Sequence, residues 1–248
     1  MTEYGIVYNT TLNESLRELP AIPTVRFPDI HDFETIGLDE ELVNLEAYGL
    51  AIDPQYSRQG IPGAMKTQYA RETVAKMLAR ANSCLPKGYH LKVYDAWRPI
   101  SVQQSLWDRF RAEMTSRHPD ASEEEIDRLT AFFVSRPSHD ILHPSLHSTG
   151  GAIDVTLIDD SGCEYAMGTG FDDFSDRAWT DHFEQHETDE RFEAIKLNRR
   201  LLYHTMTSVG FTNLPSEWWH YDYGTKFWGH FLNQKALYRG ILDANATA

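Results

Sequence analysis

Apolar residues recur every three or four positions in four segments of the chain, a spacing that places side chains on one face of an α-helix. Two of these segments begin with a capping-box pair, Ser101 with Gln104 and Ser122 with Glu125, whose side chains can satisfy the first free backbone amides. The pattern therefore predicts helices over about 66–81, over about 102–115, from Ser122 to a stop at Pro137, and over about 190–208.

Three other segments alternate apolar and polar residues, as a strand with one buried face does. They are residues 89–94, 152–158 and 218–223. In the second of them Ile153, Val155 and Leu157 face one way, and Asp154 faces the other. One face of this strand can therefore enter the core while the opposite face carries chemistry.

Helices mixed with a few short strands predict an α+β fold, in which a small, mostly antiparallel sheet packs against several helices. The length of 248 residues and the hydrophobic content of 41% allow a substantial core. We expect a single domain over residues 1–248. Residues 1–62 contain no firm element in the pattern, and we expect them to form a poorly defined segment packed on that domain.

Charge limits the partners that this chain can have. The formal net charge of −14 would repel nucleic-acid phosphates and anionic membrane surfaces, and no cluster of Lys and Arg offsets it. We therefore expect neither a nucleic acid nor a membrane as a partner. The oligomeric state is left open by the sequence.

The start of the chain and its cysteines bear on the compartment. Residues 1–20 lack the basic start and apolar stretch of a signal peptide, and no apolar run is long enough to cross a bilayer. Cys84 and Cys163 lie far apart without CxxC spacing, so neither a thiolate zinc knuckle nor a disulfide framework is predicted. We expect a cytoplasmic protein.

The strongest candidate chemistry lies where His147 precedes Asp154 by seven positions, with Gly150 and Gly151 between them. Positions an odd number apart face opposite sides of a regular strand. The two side chains can meet only if the chain turns between them, and two glycines permit such a turn. His147 is then expected in a loop and Asp154 on the polar face of the strand.

A second candidate group is Glu217 followed three positions later by His220. A carboxylate before the strand and an imidazole on it can point at one spot, the first at a water molecule and the second at a metal. Two imidazoles and one carboxylate with an open fourth position are typical of a catalytic zinc site rather than a structural one.

These residues also carry a resemblance to a known family. Residues 145–154 match the pattern SxHxxGxAxD and residues 217–220 match ExWH. The two patterns together resemble the zinc-binding signature of D-alanyl-D-alanine peptidases and dipeptidases of the VanX and VanY kind. The resemblance implies that His147, Asp154 and His220 bind one zinc ion per chain and that Glu217 is the general base.

Three further segments resemble the VanX-like dipeptidases in particular, at residues 94–99, 167–172 and 198–202. By this resemblance Arg98 would stabilise the tetrahedral intermediate, and Asp172 would receive the free amino group of the substrate. Ser145 would either contact the substrate carboxylate or only begin the turn. Where the family has a tyrosine-containing segment that helps to bind the amino terminus, this chain differs, and Tyr48 is a possible substitute.

We therefore expect a zinc-dependent peptidase that hydrolyses D-Ala-D-Ala or a similar dipeptide. Two alternatives stay open. The first is a D,D-carboxypeptidase that acts on peptidoglycan stem peptides, because that branch shares both zinc patterns. The second is a binding module that holds zinc without catalysis, although such a module would need neither Glu217 nor Arg98.

Overall fold

The computed structural model of the protein describes residues 8–25, 33–187 and 189–242. Residues 1–7 and 26–32 of the predicted N-terminal segment lie outside the described residues. The described part of that segment contributes Leu16, Leu45 and Leu50 to the main hydrophobic core. The organisation of residues 1–248 as one domain stays a prediction.

Short strands and helices alternate along the described residues. The strands are β1 (Tyr8–Asn9), β2 (Leu42–Asn44), β3 (Ala51–Ile52), β4 (Tyr69–Arg71), β5 (His90–Asp95), β6 (Ala152–Ile158), β7 (Glu164–Tyr165), β8 (Thr212–Asn213) and β9 (His220–Asp222). The α-helices are α1 (Gln55–Arg58), α2 (Glu72–Cys84), α3 (Ile100–Arg117), α4 (Glu123–Phe133), α5 (His182–Gln185), α6 (Glu193–Ser208) and α7 (Lys226–Phe231).

The main sheet is built around β6, which pairs antiparallel with β5, β7 and β9. The α+β class predicted from the sequence is confirmed. The sheet is mixed, however, and not mostly antiparallel as predicted, because β1 pairs parallel with β7 and β3 pairs parallel with β5. Strands β1 and β3 have two residues each and lie within residues 1–62, where the sequence shows no clear pattern of apolar residues. The parallel pairs were therefore not predicted.

The main hydrophobic core includes the central strand of this sheet. Ile153, Val155 and Leu157 of β6 have no exposed surface, and they belong to one hydrophobic cluster with residues of α2, β5 and α6. A second, smaller hydrophobic cluster is separate from this core and includes Val102 and Leu106 of α3. All seven residues of β6 are buried, so Asp154 is a carboxylate held inside the protein.

The first predicted helix begins later than its apolar pattern suggested. Residues 69–71 form β4, which pairs antiparallel with β2, and α2 starts at Glu72. Ala70 is fully buried through this strand and not through a helix. The apolar spacing could not separate the two cases, because a short buried strand and the first turn of a helix can both place one apolar residue in the core.

The two predicted capping boxes have different outcomes. Ser122 caps α4, because its side chain accepts a hydrogen bond from the backbone amide of Glu125 at 3.2 Å. Ser101 lies inside α3, which begins at Ile100 after Pro99, so the prediction that Ser101 caps this helix is wrong. Proline fixes φ and lacks an amide hydrogen, which suits it to the start of a helix.

No helix within the described parts of the chain combines the length and the apolar character that a membrane span requires. The cytoplasmic location stays a prediction.

Candidate functional site

The turn that carries His147 uses both glycines of the sequence pattern. Residues 147–149 form one 3₁₀ turn that ends at Gly150, whose φ of 74° lies in the left-handed region. A Cβ atom at Gly151 would collide with the carbonyl oxygen of Tyr223, so only glycine lets the chain pass there. The turn brings His147 to the side of β6 on which Asp154 lies, as the sequence predicted.

The imidazole of His147 is oriented by a backbone group. Its Nδ1 atom lies 2.8 Å from the carbonyl oxygen of Ala96, and a carbonyl oxygen can only accept, so Nδ1 carries the hydrogen. The Nε2 atom therefore presents its lone pair, 3.4 Å from Oδ2 of Asp154. Such a contact from the far ring nitrogen is the usual way in which a metal-binding histidine is held.

His220 is oriented in the same way by a carboxylate. In the pairing of β9 with β6, His220 stands opposite Asp154. Its Nε2 atom donates to Oδ2 of Asp222 at 3.1 Å. The lone pair of Nδ1 therefore points inward, 3.1 Å from Oδ1 of Asp154 and 3.2 Å from Nε2 of His147.

Three ligand atoms thus converge, one each from His147, Asp154 and His220, and all lie within 4.8 Å of one another. Oδ1 of Asp154 is buried, and it has no hydrogen-bond partner among the described residues. Inward lone pairs around a buried negative charge repel one another unless a cation lies between them, so these residues fit a metal ion.

Glu217 reaches the same point from the turn that precedes β9. Its Oε2 atom lies 3.8 Å from Nδ1 of His220, and its side chain is 23% exposed. The side-chain amide of Asn213 donates to the backbone carbonyl oxygens of Glu217, at 3.1 Å, and of His220, at 3.0 Å. These two hydrogen bonds hold the backbone between Glu217 and His220 in place. Burial raises the pKa of Glu217, and the charge of Asp154 adds to the rise.

Arg98 lies between β5 and α3, and only 7% of its surface is exposed. Its Nε atom donates to Asp95 at 2.9 Å and Nη1 donates to Gln103 at 2.7 Å. Nη2 lies 3.8 Å from Oδ2 of Asp154. Burial opposes the charge, but the surrounding acidic groups outweigh it and raise the pKa of Arg98, so a fixed cation faces the ligand cluster.

Asp172 lies in the loop that follows β7 and adopts a φ of 57°, a left-handed conformation that Asp tolerates better than most residues. Burial raises the pKa of Asp172 well above its usual value, and Asp154 raises it further, although Arg98 opposes both. A carboxyl group in these surroundings would gain from a cationic partner.

Ser145 begins the turn that contains His147 and is also buried. Its hydroxyl lies 2.7 Å from that of Ser148, which in turn donates to the carbonyl oxygen of Arg98 at 3.2 Å. Ser145 therefore both holds the turn and borders the open space in front of the ligand cluster.

One cavity of about 70 Å³ joins these groups. Its lining includes the seven side chains predicted to bind the metal, to act in catalysis or to bind the ends of the substrate, namely Arg98, Ser145, His147, Asp154, Asp172, Glu217 and His220. The lining also includes apolar side chains, among them Leu106 and Phe110 of α3 together with Phe174. A small ligand with polar ends and small apolar side chains matches this distribution.

Some of the groups around the cavity were not predicted. Tyr48, the proposed substitute for the tyrosine of the family, does not line the cavity, whereas Tyr56 does. The orienting carboxylate of Asp222 was also missed. Its position two residues after His220 is the signal that could have identified it, since such residues share one face of a strand.

Sequence comparison gives the chain a set of relatives. A protein family described as D-ala-D-ala dipeptidase matches residues 48–237. A protein from Synechocystis sp. named D-alanyl-D-alanine dipeptidase is 31% identical over 210 residues, covering 78% of this chain and 85% of that protein. A protein of the same name from Escherichia coli is 34% identical over 135 residues, covering 54% of this chain and 55% of that protein.

Structure comparison gives a weaker match. A solved structure of a mutant vancomycin resistance D,D-pentapeptidase, VanY, in complex with Zn(II) aligns with 68% of this chain and 82% of its own. The TM-score is 0.41 and the sequence identity is 14%.

Proposed function

The chain belongs to the D-ala-D-ala dipeptidase family, and from this premise we propose that it is a zinc-dependent enzyme that hydrolyses D-Ala-D-Ala or a similar dipeptide. The observation that carries the proposal is that one small cavity is lined by four kinds of group. They are a cluster of three side chains that could hold a metal ion, the carboxylate of Glu217, the guanidinium of Arg98 and a second carboxyl group, that of Asp172. Each of these groups has a distinct part in peptide hydrolysis.

His147, Asp154 and His220 would hold the zinc ion. Two imidazoles and one carboxylate are a usual ligand set of catalytic zinc, and the outward nitrogens of both rings are already engaged. Bound there, zinc would supply Lewis-acid polarisation of the scissile carbonyl group and a lowered pKa for the attacking water.

Glu217 is the general base and acid of the proposed mechanism. Its carboxylate lies beside the inward nitrogen of His220 without being part of the three-residue ligand cluster. From there it can take a proton from the attacking water and pass that proton to the leaving amine. The same group serves both steps, because the amine leaves from the carbon atom that the water attacks.

Arg98 stabilises the negative charge that develops on the carbonyl oxygen. Asp95 and Gln103 hold its guanidinium in place before any substrate arrives, so little reorganisation is needed during the reaction. Its Nη2 atom lies 3.8 Å from Oδ2 of Asp154, and both side chains line the cavity, so a carbonyl group bound at the metal ligands would lie near this cation.

Asp172 and Ser145 would bind the two ends of the dipeptide. The partly buried carboxyl of Asp172 would pair with the free amino group, and the hydroxyl of Ser145 can donate to the terminal carboxylate. With the amino group held by Asp172 and the scissile carbonyl at the three proposed metal ligands, only one residue fits on the amino side of the cleaved bond.

A peptide panel tests this function. We expect the zinc-loaded protein to hydrolyse D-Ala-D-Ala. Its kcat/KM for N-acetyl-D-Ala-D-Ala and for a stem pentapeptide should be lower by about 10²-fold, because a blocked amine leaves the carboxyl of Asp172 without its cation. The Asp172→Asn variant should raise KM for the free dipeptide and narrow the difference from the blocked one.

The same panel separates the alternatives. Efficient cleavage of the pentapeptide by the wild-type protein would favour a D,D-carboxypeptidase. Zinc binding without hydrolysis of any D,D-, L,D- or L,L-dipeptide would favour a non-catalytic module. Cell fractionation tests the predicted cytoplasmic location separately.

Replacing Arg98 with alanine should lower kcat by roughly 10²-fold and change KM much less, because its contact with the substrate strengthens in the transition state. The measurement is steady-state hydrolysis of D-Ala-D-Ala, with circular dichroism to verify folding, since Asp95 loses its buried partner. Arg98→Lys keeps the charge but not the planar fork and should recover part of the loss. Equal increases in KM for both variants with kcat unchanged would contradict the assignment.

A further inference from the structure

Tyr56 enters the cavity from α1, a helix of four residues in which the sequence marks no chemistry. Its side chain is buried, with 6% exposed. The ring lies against the guanidinium of Arg98, whose Cζ atom is 4.8 Å from the ring centroid, and against the ring of Phe171 at 5.5 Å. These two contacts hold the ring in place and thereby limit the position of its hydroxyl group.

That hydroxyl lies between the two side chains proposed to act on opposite parts of the substrate. It accepts a hydrogen bond from Nη2 of Arg98 at 3.3 Å and donates one to Oδ1 of Asp172 at 3.3 Å. Burial raises the pKa of Tyr56 well above its usual value, so the hydroxyl keeps the proton that it donates.

We propose that Tyr56 is a positioning residue whose hydroxyl fixes Asp172 relative to Arg98, and that it thereby selects substrates with a free amino group next to the cleaved bond. This inference rests on the hydrolysis proposed above. In a dipeptide a single Cα atom separates the amino nitrogen from the scissile carbonyl carbon, so covalent geometry fixes the distance between these two groups. A site that binds both the amino group and the scissile carbonyl group must therefore hold Asp172 and Arg98 at a matching distance from each other.

The two partners of the hydroxyl depend on it to different degrees. Arg98 is also held by Asp95 and Gln103. Within the described residues, the side-chain hydrogen bond of Asp172 is the one from Tyr56, and the backbone of Asp172 lies in a loop with a left-handed φ. Loss of the hydroxyl should therefore displace Asp172 more than Arg98, and binding of the amine should suffer more than the chemical step.

The test is Tyr56→Phe, which keeps the ring contacts with Arg98 and Phe171 and removes only the hydroxyl. We expect KM for D-Ala-D-Ala to rise about tenfold, and kcat to change by less than about threefold, as for loss of one hydrogen bond to a charged group. The preference for the free over the N-acetylated dipeptide should shrink by the same factor. Calorimetric binding of D-Ala-D-Ala should weaken about tenfold when Tyr56→Phe is added to zinc-loaded Glu217→Ala protein.

Tyr94→Phe is the matched control. Its ring also contacts Phe171, at 5.0 Å, but its hydroxyl interacts with Glu164 and Thr156, and Tyr94 does not line the cavity. We expect this variant to keep the KM of the wild-type protein. A comparable rise in KM in both variants would mean that any hydroxyl lost near Phe171 has this effect, and it would overturn the proposal.

A double-mutant cycle tests the path of the effect. If the hydroxyl acts through Asp172, adding Tyr56→Phe to Asp172→Asn should leave KM almost unchanged, whereas a purely structural role predicts additive losses. Additive losses, or an unchanged KM in Tyr56→Phe itself, would overturn the role of Tyr56 while wild-type hydrolysis stands. A wild-type protein inactive on every dipeptide would overturn the proposed function and this inference together.

Discussion

Replacing Glu217 with alanine is expected to lower kcat for D-Ala-D-Ala by about 10³-fold while the zinc content stays at one ion per chain. The carboxylate lies beside His220 but outside the cluster of three ligand atoms, so its loss removes proton transfer and leaves the metal ligands in place. Steady-state hydrolysis and metal analysis of the same purified sample give the two quantities.

Glu217→Gln is the matched variant, because it keeps the shape of the side chain and cannot accept the proton. It should be nearly as inactive as Glu217→Ala, and its affinity for the dipeptide should stay close to that of the wild-type protein. Zinc lost together with activity would make Glu217 a ligand, and an unchanged kcat in either variant would remove it from the mechanism.

The parts of the site that the sequence predicted are those fixed by short-range patterns. The alternation of residues 152–158 predicted β6 with the bounds that the structure has, and the odd spacing of His147 and Asp154 required the turn that Gly150 and Gly151 form. In both cases the constraint lies within a dozen residues, where backbone geometry leaves few alternatives.

Tyr56 shows what such patterns cannot reach. The known dipeptidases have a tyrosine-containing segment that helps to bind the amino terminus, and the sequence offers Tyr48 as a substitute for its tyrosine. The tyrosine that lines the cavity comes from α1, because β3 pairs parallel with β5 and so brings the following residues beside Arg98. No local spacing encodes this long-range pairing.

The start of α2 and the hydrogen bonds that orient the proposed metal ligands also depend on long-range contacts that no local pattern encodes. Residues 69–71 form β4 because they pair with β2. This pairing outweighs the helical propensity that their apolar spacing indicates. The contact of His147 with Ala96 depends on the distance between two loops that are 51 positions apart in the chain. Residue types can suggest the ligands of a metal, but only the fold brings their hydrogen-bond partners to them.

Removing the metal should abolish hydrolysis and also make the fold less stable. Without a cation, the inward lone pairs of His147 and His220 face the buried carboxylate of Asp154 within 4.8 Å. An ion bound at 100 times its dissociation constant stabilises the folded state by about 2.7 kcal/mol. For a chain of this size, its removal should lower Tm by roughly 5–10 °C. Scanning calorimetry before and after dialysis against a chelator, followed by zinc addition, measures the loss and its recovery.

His220→Ala should give the metal-free behaviour in a single variant, with zinc occupancy near zero, no measurable hydrolysis and no further fall in Tm when chelator is added. His186→Ala is the control, because His186 is exposed and does not line the cavity, and it should keep the zinc, the activity and the chelator response of the wild-type protein. Asp222→Asn should fall between the two, since loss of the orienting carboxylate weakens metal binding by about 10- to 100-fold without removing a ligand. Full activity in metal-free wild-type protein, or a Tm of His220→Ala that still falls with chelator, would contradict a zinc site at His147, Asp154 and His220.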